Sequence, residues 1–106
     1  MADYNSITTD YPRPKIAYAA KTITISETTE DYDVRANTTL FSKINYAREL
    51  VLRNVGNVSI KFNETDNDSI DLYNQEGINM VGIPISNIYI TTEGSAVVRV
   101  WITGWN

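Results

Sequence analysis

The sequence predicts an all-β protein, an antiparallel β-sandwich of the jelly-roll kind. Apolar and polar residues alternate over several short stretches, which is the pattern of strands that bury one side. Turn-forming residues separate these stretches roughly every 8–12 residues, a spacing typical of sandwiches and barrels. An immunoglobulin-like sandwich stays open as an alternative, although the chain has no cysteine with which to build the usual inter-sheet disulfide.

The strongest strand signal lies at residues 49–63, which predict a β-hairpin. Apolar side chains alternate with polar ones on both sides of residues 54–57, Asn-Val-Gly-Asn. These four residues favour a tight reversal because glycine and asparagine tolerate positive φ. Further strands are predicted at residues 16–18, 22–26, 31–35, 70–73, 87–91 and 96–103.

Two segments depart from the strand pattern. In residues 38–46 the apolar positions recur at helical spacing, and Asn37 or Thr38 can cap, so one or two turns of helix are predicted there. Residues 78–85 are apolar but contain Gly82 and Pro84, and we predict an irregular crossing loop whose side chains help to close the core.

Residues 1–15 are predicted to form an extended N-terminal arm, and residues 16–106 the β-sandwich domain. The Pro-Arg-Pro run at residues 12–14 removes two backbone donors and fixes φ, so this segment does not suit a central strand. Tyr4 and Tyr11 are candidate contacts with a neighbouring subunit because tyrosines bury a large area at low entropic cost. A terminus without any role is the alternative.

The composition argues against most enzyme classes. The chain contains no histidine and no cysteine, which removes imidazole bases, thiolate nucleophiles and the usual zinc ligands. A net charge of −4 argues against a general nucleic-acid binder. No apolar run approaches the roughly 20 residues that span a bilayer. We therefore expect a protein without catalytic residues, cofactor or metal, and without nucleic-acid or membrane partners.

Two acidic groups leave minor alternatives open. The turn with Glu64, Asp66 and Asp68 lacks the glycine and glutamate that a helix-loop-helix calcium site requires, so only weak calcium binding is conceivable. A second group could act with the first as the acid and base of a glycosidase if the two lay at a suitable separation. It consists of Glu27, Glu30, Asp31 and Asp33.

Large aromatic side chains fall in the outward phase of the predicted strands. If the aliphatic residues of the last strands point inward, then Tyr73, Tyr89 and Trp101 point outward, and Trp105 belongs with Trp101. Exposed patches of this kind usually mark contacts, so these four side chains are predicted interface residues. The alternatives are a face covered by the chain's own arm or by residues 78–85, and a platform on which sugar rings stack.

Several short segments of the sequence have the pattern of β-strands joined by Asn-rich turns. They stand at residues 36–42, 49–54, 60–63, 67–70, 87–92 and 98–100. Over residues 22–104 the chain thereby resembles small virion proteins of tailed bacteriophages. The resemblance carries no catalytic motif, and no functional residue can be transferred from it.

The resemblance implies a non-enzymatic capsid decoration (cement) protein. Such a protein would form a homo-oligomer, most often a trimer, and bind the phage major capsid protein or another virion protein. It would be made in the host cytoplasm and reside in the virion. A tail, baseplate or head–tail connector component is the first alternative. A carbohydrate-binding β-sandwich module, with weak glycan contacts through the exposed aromatics, is an alternative from a different class.

Overall fold

The computed structural model describes residues 16–105, which form eight strands and one short helix. In chain order these are β1 (Ile16–Ile25), β2 (Thr29–Asp33), α1 (Val34–Asn37), β3 (Tyr46–Val55), β4 (Val58–Phe62), β5 (Ile70–Leu72), β6 (Ile78–Ile85), β7 (Ile88–Thr92) and β8 (Ala96–Trp105). Residues 1–15, with Tyr4 and Tyr11, lie outside the described residues. The arm and the domain boundary behind it therefore stay predictions.

The strands form two four-stranded antiparallel sheets that face one another. Sheet A has the order β1-β8-β3-β6, and sheet B has the order β2-β7-β4-β5. Apart from β4 and β5, strands that follow one another in the chain lie in opposite sheets. Eight strands wound in this order between two sheets form a jelly roll, so the predicted fold class is confirmed.

The space between the sheets is filled by aliphatic side chains. In β8 every second side chain from Ala96 to Ile102 is buried, which is the inward phase that the sequence predicts. Sheet B contributes the facing layer, with Ile60, Ile88 and Ile90 fully buried. Fully burying one such side chain stabilises the fold by about 1.5–3 kcal/mol, so this double layer is the main source of stability.

The predicted hairpin at residues 49–63 is wrong, although both of its strands exist. β3 lies in sheet A and pairs with β6 and β8, whereas β4 lies in sheet B and pairs with β5 and β7. The turn between them, with Gly56 at φ 94°, carries the chain around the edge of the sandwich. A hairpin and such a corner need the same local alternation and the same turn residues, which is why the pattern did not separate them.

Two further predictions of local structure are corrected. The helical turn is α1 rather than residues 38–46; Asp33 ends β2 and caps α1 by accepting a hydrogen bond from the Ala36 amide at 3.0 Å. The apolar residues that repeat at helical spacing instead anchor a loop that closes one end of the core, and they are Leu40, Phe41 and Ile44. Residues 78–85 are not a loop but the edge strand β6, where a proline is tolerated.

A buried asparagine fastens the corner between β3 and β4. Asn54 is only 1% exposed, and its side-chain amide donates to the carbonyls of Gly56 at 2.7 Å and Tyr73 at 2.8 Å. Its side-chain oxygen accepts from the Gly77 amide at 2.9 Å, and its own carbonyl accepts from the Gln75 amide at 2.8 Å. One residue therefore ties the turn after β3 to the connection between β5 and β6.

Candidate interaction surface

The outward side of sheet A carries most of the exposed apolar surface in the described part of the chain. Six of the seven large hydrophobic side chains that stay exposed in residues 16–105 belong to its strands, and the seventh is Tyr73. The six are Tyr18, Tyr46, Val55, Val81, Ile83 and Trp101. We call the outward side of this sheet face A.

The strand register explains why Trp101 stands out from the centre of face A. Trp101 lies in β8, directly between Ala20 of β1 and Val51 of β3. Both neighbours are small, so they cover little of the indole, which stays 52% exposed. Tyr18, 70% exposed, lies opposite Thr103 on the same side of the sheet. An apolar ring in mid-sheet, without a covering element among the described residues, is typical of a contact surface.

At one end of face A, two aromatic side chains line a groove of about 460 Å³. Tyr46 and Trp105 lie opposite one another in the sheet register, and Ile83 and Pro84 of β6 complete the apolar wall. Tyr46 and Arg48 both lie on the outward side, and a β-bulge between Ala47 and Glu49 leaves the consecutive residues Arg48 and Glu49 both exposed. The Arg48 guanidinium lies 4.5 Å from the centre of the Trp105 ring, a cation–π contact.

We expect Arg48→Ala to uncover Trp105. Removing the guanidinium should shift the Trp105 fluorescence to longer wavelength and cost about 0.5–1 kcal/mol of stability through the lost cation–π contact. The measurement is made in a Trp101→Phe background, so that a single tryptophan reports. Lys43→Ala, in the exposed loop after α1, is the matched control and should leave the spectrum unchanged. An unshifted spectrum for Arg48→Ala would contradict the stacked geometry.

The middle of face A is basic. Arg53 and Arg99 line a groove of about 350 Å³ together with Trp101. Arg53 and Arg99 are direct cross-strand partners, an arrangement of like charges that is unfavourable in an isolated sheet. Arg53 is held by a hydrogen bond to the side-chain oxygen of Asn79 at 3.1 Å. Within residues 16–105, neither arginine forms a salt bridge; the ion pair found there joins Lys61 to Asp31 at 3.2 Å.

The outward side of sheet B, which we call face B, is acidic. A groove of about 320 Å³ is lined by Asp71, Tyr73 and Glu93 among others. The Ser59 hydroxyl donates to the Asp71 carboxylate at 2.6 Å and fixes its orientation in the sheet. Tyr73 follows β5 and is 70% exposed, so this groove also offers one aromatic ring beside its carboxylates.

The predicted interface residues do not form one surface. Trp101 and Trp105 lie on face A, whereas Tyr73 and Tyr89 belong to the sheet B side of the sandwich. Tyr89, a direct partner of Lys61, is only partly exposed. The error came from treating the strands near the C-terminus as one sheet, although β7 and β8 lie in opposite sheets.

Two residues of face A went unrecognised in the sequence. Tyr18 lies in a predicted strand, but its outward direction follows only from the pairing of β1 with β8, which the sequence does not reveal. Tyr46 stood in the predicted helix, and the bulge at Arg48 breaks the alternation that would have marked it as outward. The arm residues Tyr4 and Tyr11 lie outside the described part.

In residues 16–105 no three acidic side chains come together in a way that could hold a metal ion. The loop with Glu64, Asp66 and Asp68 is exposed to solvent along its length. No helix in this part of the chain is long and apolar enough to cross a membrane.

Comparisons with known proteins place the chain in no family. No family model matches it, and no curated protein matches it. Among solved structures it is similar to a cupin-2 domain containing protein from Shewanella frigidimarina NCIMB 400, with a TM-score of 0.48 and 14% identity over 94% of this chain and 91% of that one. At this distance the likeness carries no argument about activity.

These comparisons require a correction of the predicted function. The expectation of a bacteriophage decoration protein, or of a tail, baseplate or connector component, finds no matching family and no matching virion protein. One solved structure that is similar to the chain is that of a cupin-2 domain containing protein, not of a virion protein. The function as a phage structural protein is therefore withdrawn, whereas the capsid partner and the virion location stay untested predictions.

Proposed function

We propose that this chain is a non-enzymatic assembly protein that acts by binding further copies of itself through face A. The observation that carries the proposal is the concentration of exposed apolar side chains on one sheet, six of seven in residues 16–105. A concentration of exposed apolar side chains on one face usually marks a protein contact. Trp101 lies at the centre of this face, and tryptophan is among the residue types that dominate binding energy.

The edges of sheet A support contact through the face rather than through strand addition. Lys21 of β1 lies opposite the buried Val100, so it occupies an inward-phase position of an edge strand. The other edge strand, β6, contains Gly82 and Pro84. Inward-phase charges and edge prolines are the devices by which sheets avoid pairing edge to edge. Because both edges are protected in this way, the outward face is the part of sheet A that is left for contact with another copy.

The chemistry of the chain supports a role without turnover. With neither histidine nor cysteine, the chain relies on carboxylates, lysines and hydroxyls for any acid–base step. The Asp31 carboxylate is engaged in an ion pair with Lys61, and that of Asp71 accepts a hydrogen bond from Ser59. Neither arrangement aims a reactive group into an enclosed pocket.

Sedimentation analysis of the full chain tests the proposal. We expect concentration-dependent association at about 10–100 µM, the range in which weak specific complexes form. Trp101→Ala should raise the dissociation constant about 30-fold or more, as truncation of a central interface aromatic does. The matched control is Thr65→Ala in the exposed loop between β4 and β5, which should leave association unchanged.

A strict monomer at the highest of these concentrations would overturn the proposed function. So would a Trp101→Ala variant that folds and associates like the wild-type chain. Urea denaturation of each variant shows whether it folds, and we expect a midpoint close to that of the wild type because the Trp101 side chain points away from the core.

A further inference from the structure

The two sheets of the sandwich carry opposite charge. The strands of sheet A hold four cationic side chains and one carboxylate, a net charge of +3; these are Lys21, Arg48, Arg53, Arg99 and Glu49. The strands of sheet B hold four carboxylates and one cation, a net charge of −3; these are Glu30, Asp31, Asp33, Asp71 and Lys61. The net charge of the whole chain hides this separation.

The separation is sharpest at two grooves of similar size. The groove on face A is about 350 Å³ and combines Arg53 and Arg99 with the exposed ring of Trp101. The groove on face B is about 320 Å³ and combines Asp71 and Glu93 with the exposed ring of Tyr73. Each groove thus offers two like charges beside one aromatic ring, and the signs of the charges are opposite.

We propose that copies of this chain associate head to tail, with face A of one copy packed on face B of the next. The inference rests on the proposed self-association and adds its geometry. Arg53 and Arg99 would then meet the carboxylates of Asp71 and Glu93, while Trp101 would lie near Tyr73. Complementary charge of this kind fixes register and speeds encounter.

The alternative, face A on face A, is disfavoured by the same residues. A two-fold contact places the same patch on both copies. It would bring the Arg53–Arg99 pair of one copy towards that of its partner, and like charges placed together at an interface are strongly unfavourable. The cross-strand arginines already repel within one sheet, so an opposing carboxylate groove relieves an existing repulsion.

A head-to-tail contact has a defined consequence for stoichiometry. It uses two different surfaces of each copy, so every copy in an assembly still presents a free face of each kind unless the chain of contacts closes on itself. We therefore expect rings or open stacks that grow with concentration rather than a dimer that saturates.

Charge reversal tests the inference. Arg99→Glu on face A and Asp71→Lys on face B should each weaken association at least tenfold, because each places like charges at the contact. An equimolar mixture of the two variants should recover association, since the altered face of each fits the altered face of the other and both wild-type faces remain. Association of the wild type should weaken in about 0.5 M NaCl, where the Debye length falls to a few ångströms.

Matched variants change net charge without touching either face. Lys43→Glu and Glu64→Lys lie in exposed loops and alter the net charge as Arg99→Glu and Asp71→Lys do, and we expect no effect on association from them. Glu93→Lys is a second variant for face B, used if Asp71→Lys perturbs folding through the Ser59 hydrogen bond.

The outcomes separate this inference from the proposed function. If Arg99→Glu strengthens association while Asp71→Lys and Glu93→Lys leave it unchanged, face A binds face A, and the head-to-tail geometry is overturned although self-association stands. Failure of the mixture to recover association also overturns it. If the wild-type chain does not associate at all, the proposed function itself fails.

Discussion

Gly104→Ala is expected to lower the free energy of unfolding by about 3 kcal/mol or more, a large fraction of the stability of a domain of this size. Gly104 is buried in β8 between Ala17 and Ala47 of the two neighbouring strands. An added Cβ would collide with the Tyr46 carbonyl oxygen and lie 2.9 Å from the Ala47 Cα. Because both obstacles are backbone atoms of a paired strand, the sheet itself would have to move. The loss is measured as a lower midpoint in urea.

Gly94→Ala is the matched control for this substitution. Gly94 has φ 100°, and an added Cβ there would meet nothing within 4 Å. The change therefore carries only the strain of a positive φ, about 1–2 kcal/mol. A loss for Gly104→Ala no larger than that for Gly94→Ala would show that β8 and β3 are not packed as closely as the structure places them.

Asn54→Ala is expected to cost about 3 kcal/mol as well, because it leaves three part-buried backbone groups without their partners. The truncation removes the donor to the Gly56 and Tyr73 carbonyls and the acceptor for the Gly77 amide. Each group left unsatisfied in the interior costs about 1–3 kcal/mol. The expected signature is a lower urea midpoint together with faster amide hydrogen exchange at Gly77.

Asn79→Ala provides the comparison for Asn54→Ala. Asn79 is exposed on β6, and its side-chain oxygen accepts a hydrogen bond from Arg53. Water can replace that partner, so we expect a loss within about 0.5 kcal/mol, as for most surface substitutions. Equal losses of stability for the two variants would mean that the burial of Asn54 does not increase what its hydrogen bonds contribute.

The strands were largely predictable because alternation of apolar and polar residues survives in most of them. The buried positions of β4, β7 and β8 follow the pattern directly. β6 was missed because Gly82 and Pro84 look like chain breakers, and they are tolerated only since β6 is an edge strand with one pairing partner. Whether a strand lies at an edge is a property of the sheet and not of the strand's own residues.

The arrangement of strands into sheets could not be predicted from local pattern. Residues 54–57 contain the residues of a tight turn, yet they join two strands in opposite sheets. What decides between a hairpin and a corner is the partner of each strand, and those partners lie far away in the sequence: β3 pairs with β8, and β4 with β7.

The residues of the candidate surface were only partly predicted, because the sheet to which each strand belongs was unknown. Trp101 and Trp105 were placed in the outward phase correctly. Tyr73 could be assigned an outward direction but not a sheet, so it was grouped with residues that lie on the other side of the molecule. The separation of charge between the sheets is likewise invisible until the strands are assigned, because acidic and basic residues are interspersed along the chain.

The central place of β8 in sheet A governs when the protein can fold. β8 joins β1 to β3, and its pairing of Ile16 with Trp105 spans nearly all of the described chain. During synthesis on the ribosome, β1 and β3 emerge long before residues 96–105 and must wait for the strand that links them. Topologies dominated by such distant pairings fold slowly, on a timescale of about milliseconds to seconds. The nascent chain therefore exposes its aliphatic strands for an interval in which chaperone binding would protect it from aggregation.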